Sequence, residues 1–215
     1  MQFRQHALAI VTTLLLGTTA FLGGCATTGM DRSVKASNSI KDVDIEIRKM
    51  IVQIDITAAS LDSLVAPGQT QLKKPFDKYS DDLAKLESEG KRVNKRTEEM
   101  KSRNNEYFSE WEKQGDAFTN PEMRELSAER RLKLAEIYAR VPVAAAGVKG
   151  TYNAYLTDLK EIQKFLSTDL TAKGVESINP VATKSVQDLG ALKQSLQPVL
   201  AALDEIKAEL YTGKK

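Results

Sequence analysis

Residues 72–117 read LKKPFDKYSDDLAKLESEGKRVNKRTEEMKSRNNEYFSEWEKQGDA, and this stretch decides the fold. Leu72, Phe76, Tyr79, Leu83, Leu86, Val93, Met100, Tyr107 and Trp111 fall on alternating four- and three-residue steps. On a helix that spacing draws one continuous apolar stripe. It predicts a helix from about Leu72 to Ala117, roughly 65–70 Å long at 1.5 Å per residue. Gly90, Thr97 and Asn104 occupy ladder positions where an apolar side chain is expected. Small or polar residues at such positions weaken a helix seam and fix its register.

The same ladder extends outward in both directions. Upstream it runs through Ile40, Val43, Ile47, Met50, Ile54, Leu61 and Leu64, with Thr57 filling one slot, until Ala66-Pro67-Gly68 stops it. Downstream, Thr119-Asn120-Pro121-Glu122 reads as a helix start: a capping residue, Pro in the first turn, then an acid. The third segment carries Leu126, Leu134, Tyr138, Val141, Ala145, Val148, Tyr152, Tyr155, Leu159, Ile162 and Leu166, interrupted by Pro142, Gly147 and Gly150. Pro142 predicts a kink there rather than a break, because the ladder keeps its phase through it. Gly174 is expected to end that segment and Asn179-Pro180 to start a fourth. The fourth stripe is Val186, Leu189, Leu196, Leu200, Leu203 and Leu210, with a second kink at Pro198 and fraying from Tyr211. No segment alternates with period two. The expected fold is all-α: an elongated antiparallel bundle of about four long helices with coiled-coil character.

Composition narrows the function. The chain has 215 residues, 31 Lys+Arg, 29 Asp+Glu and a formal net charge of +2. That balance argues against a nucleic-acid binder, and 41% hydrophobic residues argue against disorder. His6 and Cys25 are the only His and Cys. Both precede the helical body, which therefore lacks the ligands and nucleophiles of His-bound metal sites, Ser-His-Asp triads and Cys-His pairs, and has no disulfide. No cofactor, metal or catalytic residue is expected. Acid pairs such as Asp81-Asp82 and Glu98-Glu99 diverge by about 100° on a helix and do not converge on one site.

The first residues read as an address. Arg4 precedes an uncharged, mostly apolar run from Ala7 to Leu22, shorter than a comfortable membrane span. It ends in Leu22-Gly23-Gly24-Cys25, which resembles the bacterial lipobox, where an aliphatic and two small residues precede the Cys that is lipidated before cleavage. The resemblance implies a signal peptide over 1–24, a lipidated (palmitate-bearing) N-terminus and flexible tether over 25–33, and a single helical domain over 34–215. Ala26 rather than Asp follows the Cys, which implies the periplasmic face of the outer membrane in a Gram-negative host. Two or more acyl chains anchor stably.

Two surface features are candidates for contacts. Phe108, Trp111, Phe118 and Pro121 cluster where the second and third helices meet, a candidate partner-binding tip. Arg130, Arg131 and Lys133 form a candidate basic patch.

Phe108-Ser109-Glu110-Trp111-Glu112, then Asn120-Pro121-Glu122-Met123-Arg124-Glu125-Leu126-Ser127, then Glu129-Arg130-Arg131-Leu132 and Tyr138 resemble a bacterial family of secreted helical proteins and lipoproteins, domain of unknown function 2959. Asn120, Arg124, Ser127 and Arg130 are the most specific part. The resemblance implies an all-helical envelope protein and supplies no reaction or ligand. The expected function is a non-catalytic, lipid-anchored periplasmic structural element or adaptor, held to the membrane by its lipid and engaging an envelope protein or a second copy of itself. One alternative is a carrier for an apolar or lipid ligand, which would need an internal apolar cavity. Another is an envelope hydrolase that uses neither His nor Cys.

Overall fold

The computed structural model describes residues 28–211. They form five helices and no strand: α1 (Gly29–Val65), α2 (Lys73–Asp116), α3 (Pro121–Ala144), α4 (Val148–Thr168) and α5 (Ala172–Tyr211). The lipobox residues Leu22, Gly23, Gly24 and Cys25 lie outside the described residues.

α1 and α2 are joined by a short turn and pack along each other. α3 and α4 together run back along α2, and α5 returns between them and α1. The result is an up-down-up-down bundle, with α3 and α4 as one interrupted leg. α1, α2 and α5 are 37, 44 and 40 residues long. At 1.5 Å per residue α2 alone spans about 66 Å.

The predicted ladders are the core. Ile40, Ile54, Leu61 and Leu64 of α1, Tyr79 and Leu86 of α2, Leu134 of α3, Leu159 and Leu166 of α4, and Leu192, Leu196 and Leu203 of α5 are fully buried. Thr57, the polar residue on the first ladder, is satisfied across the seam: its hydroxyl lies 2.8 Å from Gln53 O and 3.2 Å from Asp82 O. Asp82 is buried beside it. Burial raises its carboxyl pKa, but hydrogen bonds from Lys78 (2.7 Å) and Lys85 (3.4 Å) more than offset this and hold it below the ordinary value.

Local signals place the helix ends, and three differ from expectation. α1 begins at Gly29 inside the presumed tether, because Thr28 and Asp31 form a capping box: Asp31 N donates to Thr28 Oγ1 and Thr28 N to Asp31 Oδ2 (3.2 and 2.9 Å). The third segment does not merely kink at Pro142. It breaks over residues 145–147, where Gly147 adopts φ +86°, a left-handed conformation that favours Gly. Pro142 weakens the last turn of α3 by removing one donor. The ladder keeps its phase across the break, so Val141 and Tyr152 are both buried.

The start of α5 is the third correction. Gly174 lies in its first turn instead of ending the preceding helix. Thr171 Oγ1 accepts from Gly174 N at 3.0 Å, and a Cβ on Gly174 would sit 2.9 Å from Asp169 Cγ. Asn179-Pro180 is therefore interior to α5, as is Pro198. Helix continuity there rests on the burial of Val175, Ile178 and Ala182.

Candidate functional site

The seam between α2 and the α3–α4 leg is closed at both ends and open in the middle. Towards the α2–α3 turn, Phe108 and Tyr138 pack edge to face with ring centres 5.2 Å apart, and Trp111 Nε1 donates to Ser127 Oγ at 3.0 Å. Towards the other end, the Tyr152 hydroxyl donates to Leu86 O (2.9 Å), Lys160 pairs with Glu87 (3.0 Å), and the Tyr79 hydroxyl donates to Leu159 O (2.7 Å).

Between these clasps lies a cleft of about 690 Å³. Val43, Ile47 and Met50 of α1 and Leu196 and Val199 of α5 contribute to its lining. Val93, Thr97, Met100 and Asn104 line it from α2, and Tyr138, Val141, Pro142, Ala145 and Val148 from the interrupted leg. The charged residues among its lining are Glu98, Lys101 and Lys149. Volume and lining are those of a small-molecule pocket: mostly apolar, with a few polar groups.

The three irregular ladder positions, Gly90, Thr97 and Asn104, all line this cleft. Large apolar side chains at Thr97 and Asn104 would have filled the seam. Opposite them the leg is broken at Ala144–Val148. The sequence carried this signal twice, as three irregular ladder positions spaced seven residues apart and as the Pro142, Gly147 and Gly150 cluster. Neither half alone locates a cavity.

Polar groups in the cleft differ in their partners. Thr97 Oγ1 is turned back onto its own helix, 2.8 Å from Val93 O. Asn104 Oδ1 and the Tyr138 hydroxyl are buried and have no hydrogen-bond partner in the structure. Burial, assisted by the neighbouring Tyr107, raises the Tyr138 hydroxyl far above its ordinary pKa, so it stays protonated and can donate. Both residues sit at the end of the cleft nearer the α2–α3 turn, and unpaired buried polar atoms are costly.

Gly90 has a packing role at the opposite end. A Cβ there would lie 2.6 Å from Tyr152 Cζ. Gly→Ala in a helix interior normally stabilises by about 1 kcal/mol. Gly90→Ala should instead destabilise by about 1 kcal/mol, because Tyr152 must leave the Leu86 carbonyl. Urea unfolding of the two forms measures the sign.

The sequence-predicted contact residues divide. Phe108 and Trp111 are half-buried against the core, so they are not part of an exposed tip. Phe118 is 41% exposed and Pro121 is exposed. Met123 (46%) is exposed beside them in the first turns of α3, and so is Leu126 (53%), expected on the buried stripe, because the stripe meets the core only from Leu134 onward. The basic patch is neutralised: Arg130 and Lys133 face Glu209, and Arg131 pairs with Glu112. Lys91, Arg92, Lys95 and Arg96 likewise pair with Glu87, Glu89 and Glu99.

Of the motif, Asn120, Arg124 and Ser127 prove to build the α2–α3 turn, while Arg130 pairs with Glu209 of α5. Asn120 Oδ1 accepts from Glu122 N at 2.9 Å and from Met123 N at 3.4 Å. Arg124 Nη2 donates to Phe118 O at 2.8 Å. Ser127 receives Trp111, and its Oγ would be 2.7 Å from a Cβ on Gly115. The motif locks a hairpin.

Among the described residues no group of three or more His, Cys, Asp or Glu is placed to hold a metal ion, and no helix is long and apolar enough to cross a membrane. The chain matches no curated protein and no solved structure. A family model described as "Protein of unknown function (DUF2959)" matches residues 31–210, nearly the whole of the described bundle, and the chain belongs to that family.

Proposed function

We propose that this is a non-catalytic, lipid-anchored envelope protein whose bundle binds a small apolar ligand, an acyl-type chain with one polar end, in the cleft between α2 and the α3–α4 leg. The observation that carries the reading is the cleft itself: about 690 Å³, mostly apolar, placed where the α2 ladder is interrupted and the facing helix is broken. Filling it would take apolar surface out of water, and Asn104 and Tyr138, whose buried Oδ1 and hydroxyl lack partners, could turn to meet a polar end. Lipidation at Cys25 would hold the protein at the periplasmic face of the outer membrane. An adaptor needs no such void, so binding takes precedence over the adaptor role expected from the sequence.

The test uses a soluble form that lacks residues 1–24 and carries Cys25→Ser. Solvent extracts of the purified protein are analysed by mass spectrometry, and the extracted protein is titrated with a fluorescent fatty acid. A copurifying amphiphile and saturable one-to-one binding are expected. No extractable ligand together with no saturable binding would overturn the proposal.

One observation favours an adaptor or self-associating element. Ile45, Val52 and Ile56 are exposed on one outward face of α1. That reading requires crosslinks from this face to an envelope protein or a second copy.

A further inference from the structure

We propose that the α2–α3 hairpin tip is a lipid-contacting foot, resting on the membrane that holds the N-terminal anchor and standing the bundle upright on it. This rests on the reading that Cys25 is acylated.

The topology places three chain ends together. The start of α1, the α2–α3 turn and the end of α5 share one end of the bundle: Arg32 Nη2 donates to Gln114 Oε1 at 2.7 Å, and Arg130 pairs with Glu209. The α1–α2 turn and the α4–α5 turn occupy the other end, about 66 Å away along α2. Thr28, which caps α1, is three residues from Cys25, a reach of roughly 10 Å even fully extended. An acyl anchor on Cys25 therefore keeps the tip end beside the bilayer, whereas the α1–α2 turn could reach it only by the bundle lying flat.

The tip is built for a surface. Its backbone is fixed by the Asn120 cap, the Arg124–Phe118 bond, the Trp111–Ser127 bond and the Arg131–Glu112 pair. It nevertheless exposes Phe118, Met123 and Leu126, and Met30 in the first turn of α1 is 71% exposed at the same end. A fixed turn that spends its polar groups internally and turns apolar side chains outward suits the interfacial region of a bilayer. Lys113 and Arg124 there are balanced by Asp116, Glu122 and Glu125, so the contact does not require anionic lipid. Three apolar side chains bind a bilayer weakly on their own; the tether makes the contact effective by holding them at high local concentration.

Cys25 is the only Cys, and acylation consumes its thiol, so an introduced Cys is uniquely labelled. The full lipidated protein carrying Phe118→Cys, Met123→Cys or, at the far end, Thr70→Cys is labelled with an environment-sensitive fluorophore. Each form is reconstituted in phosphatidylethanolamine–phosphatidylglycerol vesicles with and without lipid-borne quenchers. The two tip labels should be blue-shifted and quenched at least twofold more than the Thr70 label, with little change at high salt. An acylated protein whose tip labels are as unquenched as that at Thr70 overturns the foot alone. A blue shift without quenching assigns the tip to a second copy and also overturns it. Mass spectrometry of the N-terminal peptide separates the premises: an unacylated Cys25 removes the anchor and the foot with it.

Discussion

Raising the pH from about 9 to about 11 should unfold the bundle or bring it to the edge of unfolding, with a loss on the order of 5 kcal/mol. Tyr79, Tyr107, Tyr138, Tyr152 and Tyr155 are all buried. Burial raises the pKa of each hydroxyl above the ordinary 10; for Tyr152 it is pushed up to about 12. In the unfolded chain these hydroxyls ionise near pH 10, so above that pH the unfolded state holds fewer protons than the folded one. Stability then falls as pH rises, by about 1.4 kcal/mol per pH unit for each tyrosine that the fold keeps protonated. Several such terms together are comparable to the whole stability of a typical domain, about 5–15 kcal/mol. The effect is fully absent below the unfolded pKa. Lys207, where burial lowers the pKa but Asp204 and Asp44 more than offset it, and Lys184, raised by Asp188 and Asp158, act with the same sign. Urea titrations at steps of pH measure the slope. Tyr79→Phe should lower stability at neutral pH by about 1 kcal/mol, through loss of its bond to Leu159 O, and make the alkaline fall shallower. An unchanged slope would show that the fold does not hold the hydroxyl protonated.

How much of this was legible in the sequence depends on the interaction involved. The ladders from Ile40 to Leu64 and from Tyr79 to Tyr107 depend on local spacing, and the buried faces of α1 and α2 follow them closely. The α3 start was legible because Asn120, Pro121 and Glu122 act within one turn. Gly174 and Asn179-Pro180 misled because their local preferences lose to tertiary burial: the Asp169–Thr171 turn starts α5 early, and Val175, Ile178 and Ala182 carry it through a proline. In the first half of α5 the core is met by Ala182 and Ser185 on the way to Leu192, with Val186 and Leu189 at the edge. A small residue facing the core is invisible to a search for large apolar ones.

The candidate sites separate in the same way. Arg130, Arg131 and Lys133 look like a basic patch in one dimension, but their partners, Glu112 and Glu209, come from other helices. Phe108 and Trp111 look like tip residues until Tyr138 and Ser127 are brought opposite them. The cleft needs two irregularities on different helices to meet. Sequence spacing exposes each of them and cannot show that they face one another.

Asn104→Leu should make the protein more stable and less able to bind, and the pairing of those signs is the diagnostic result. Asn104 projects from the α2 ladder into the cleft region with its Oδ1 buried and unpartnered. Replacing an unsatisfied buried polar group with an apolar one of similar size removes its desolvation cost, for a gain of about 1–2 kcal/mol. In a domain of this length that raises Tm by roughly 2–8 °C. A Leu at this heptad position also completes the stripe between Met100 and Tyr107 and draws α2 towards the α3–α4 leg. If the cleft takes an apolar chain whose polar end meets Asn104 and Tyr138, the same change removes a hydrogen-bond group and occupies part of the volume. Binding of the fluorescent fatty acid should then weaken at least tenfold. Thr97→Phe, one heptad away, should weaken binding at least as much by filling the centre of the cleft. A stability gain with unchanged binding would place the ligand elsewhere on the bundle. A stability loss would show that Asn104 has a partner in solution, which makes the interruption of the ladder structural. Thermal melts and probe titrations on the same preparations read both signs, and only a seam kept open for a ligand gives them in opposition.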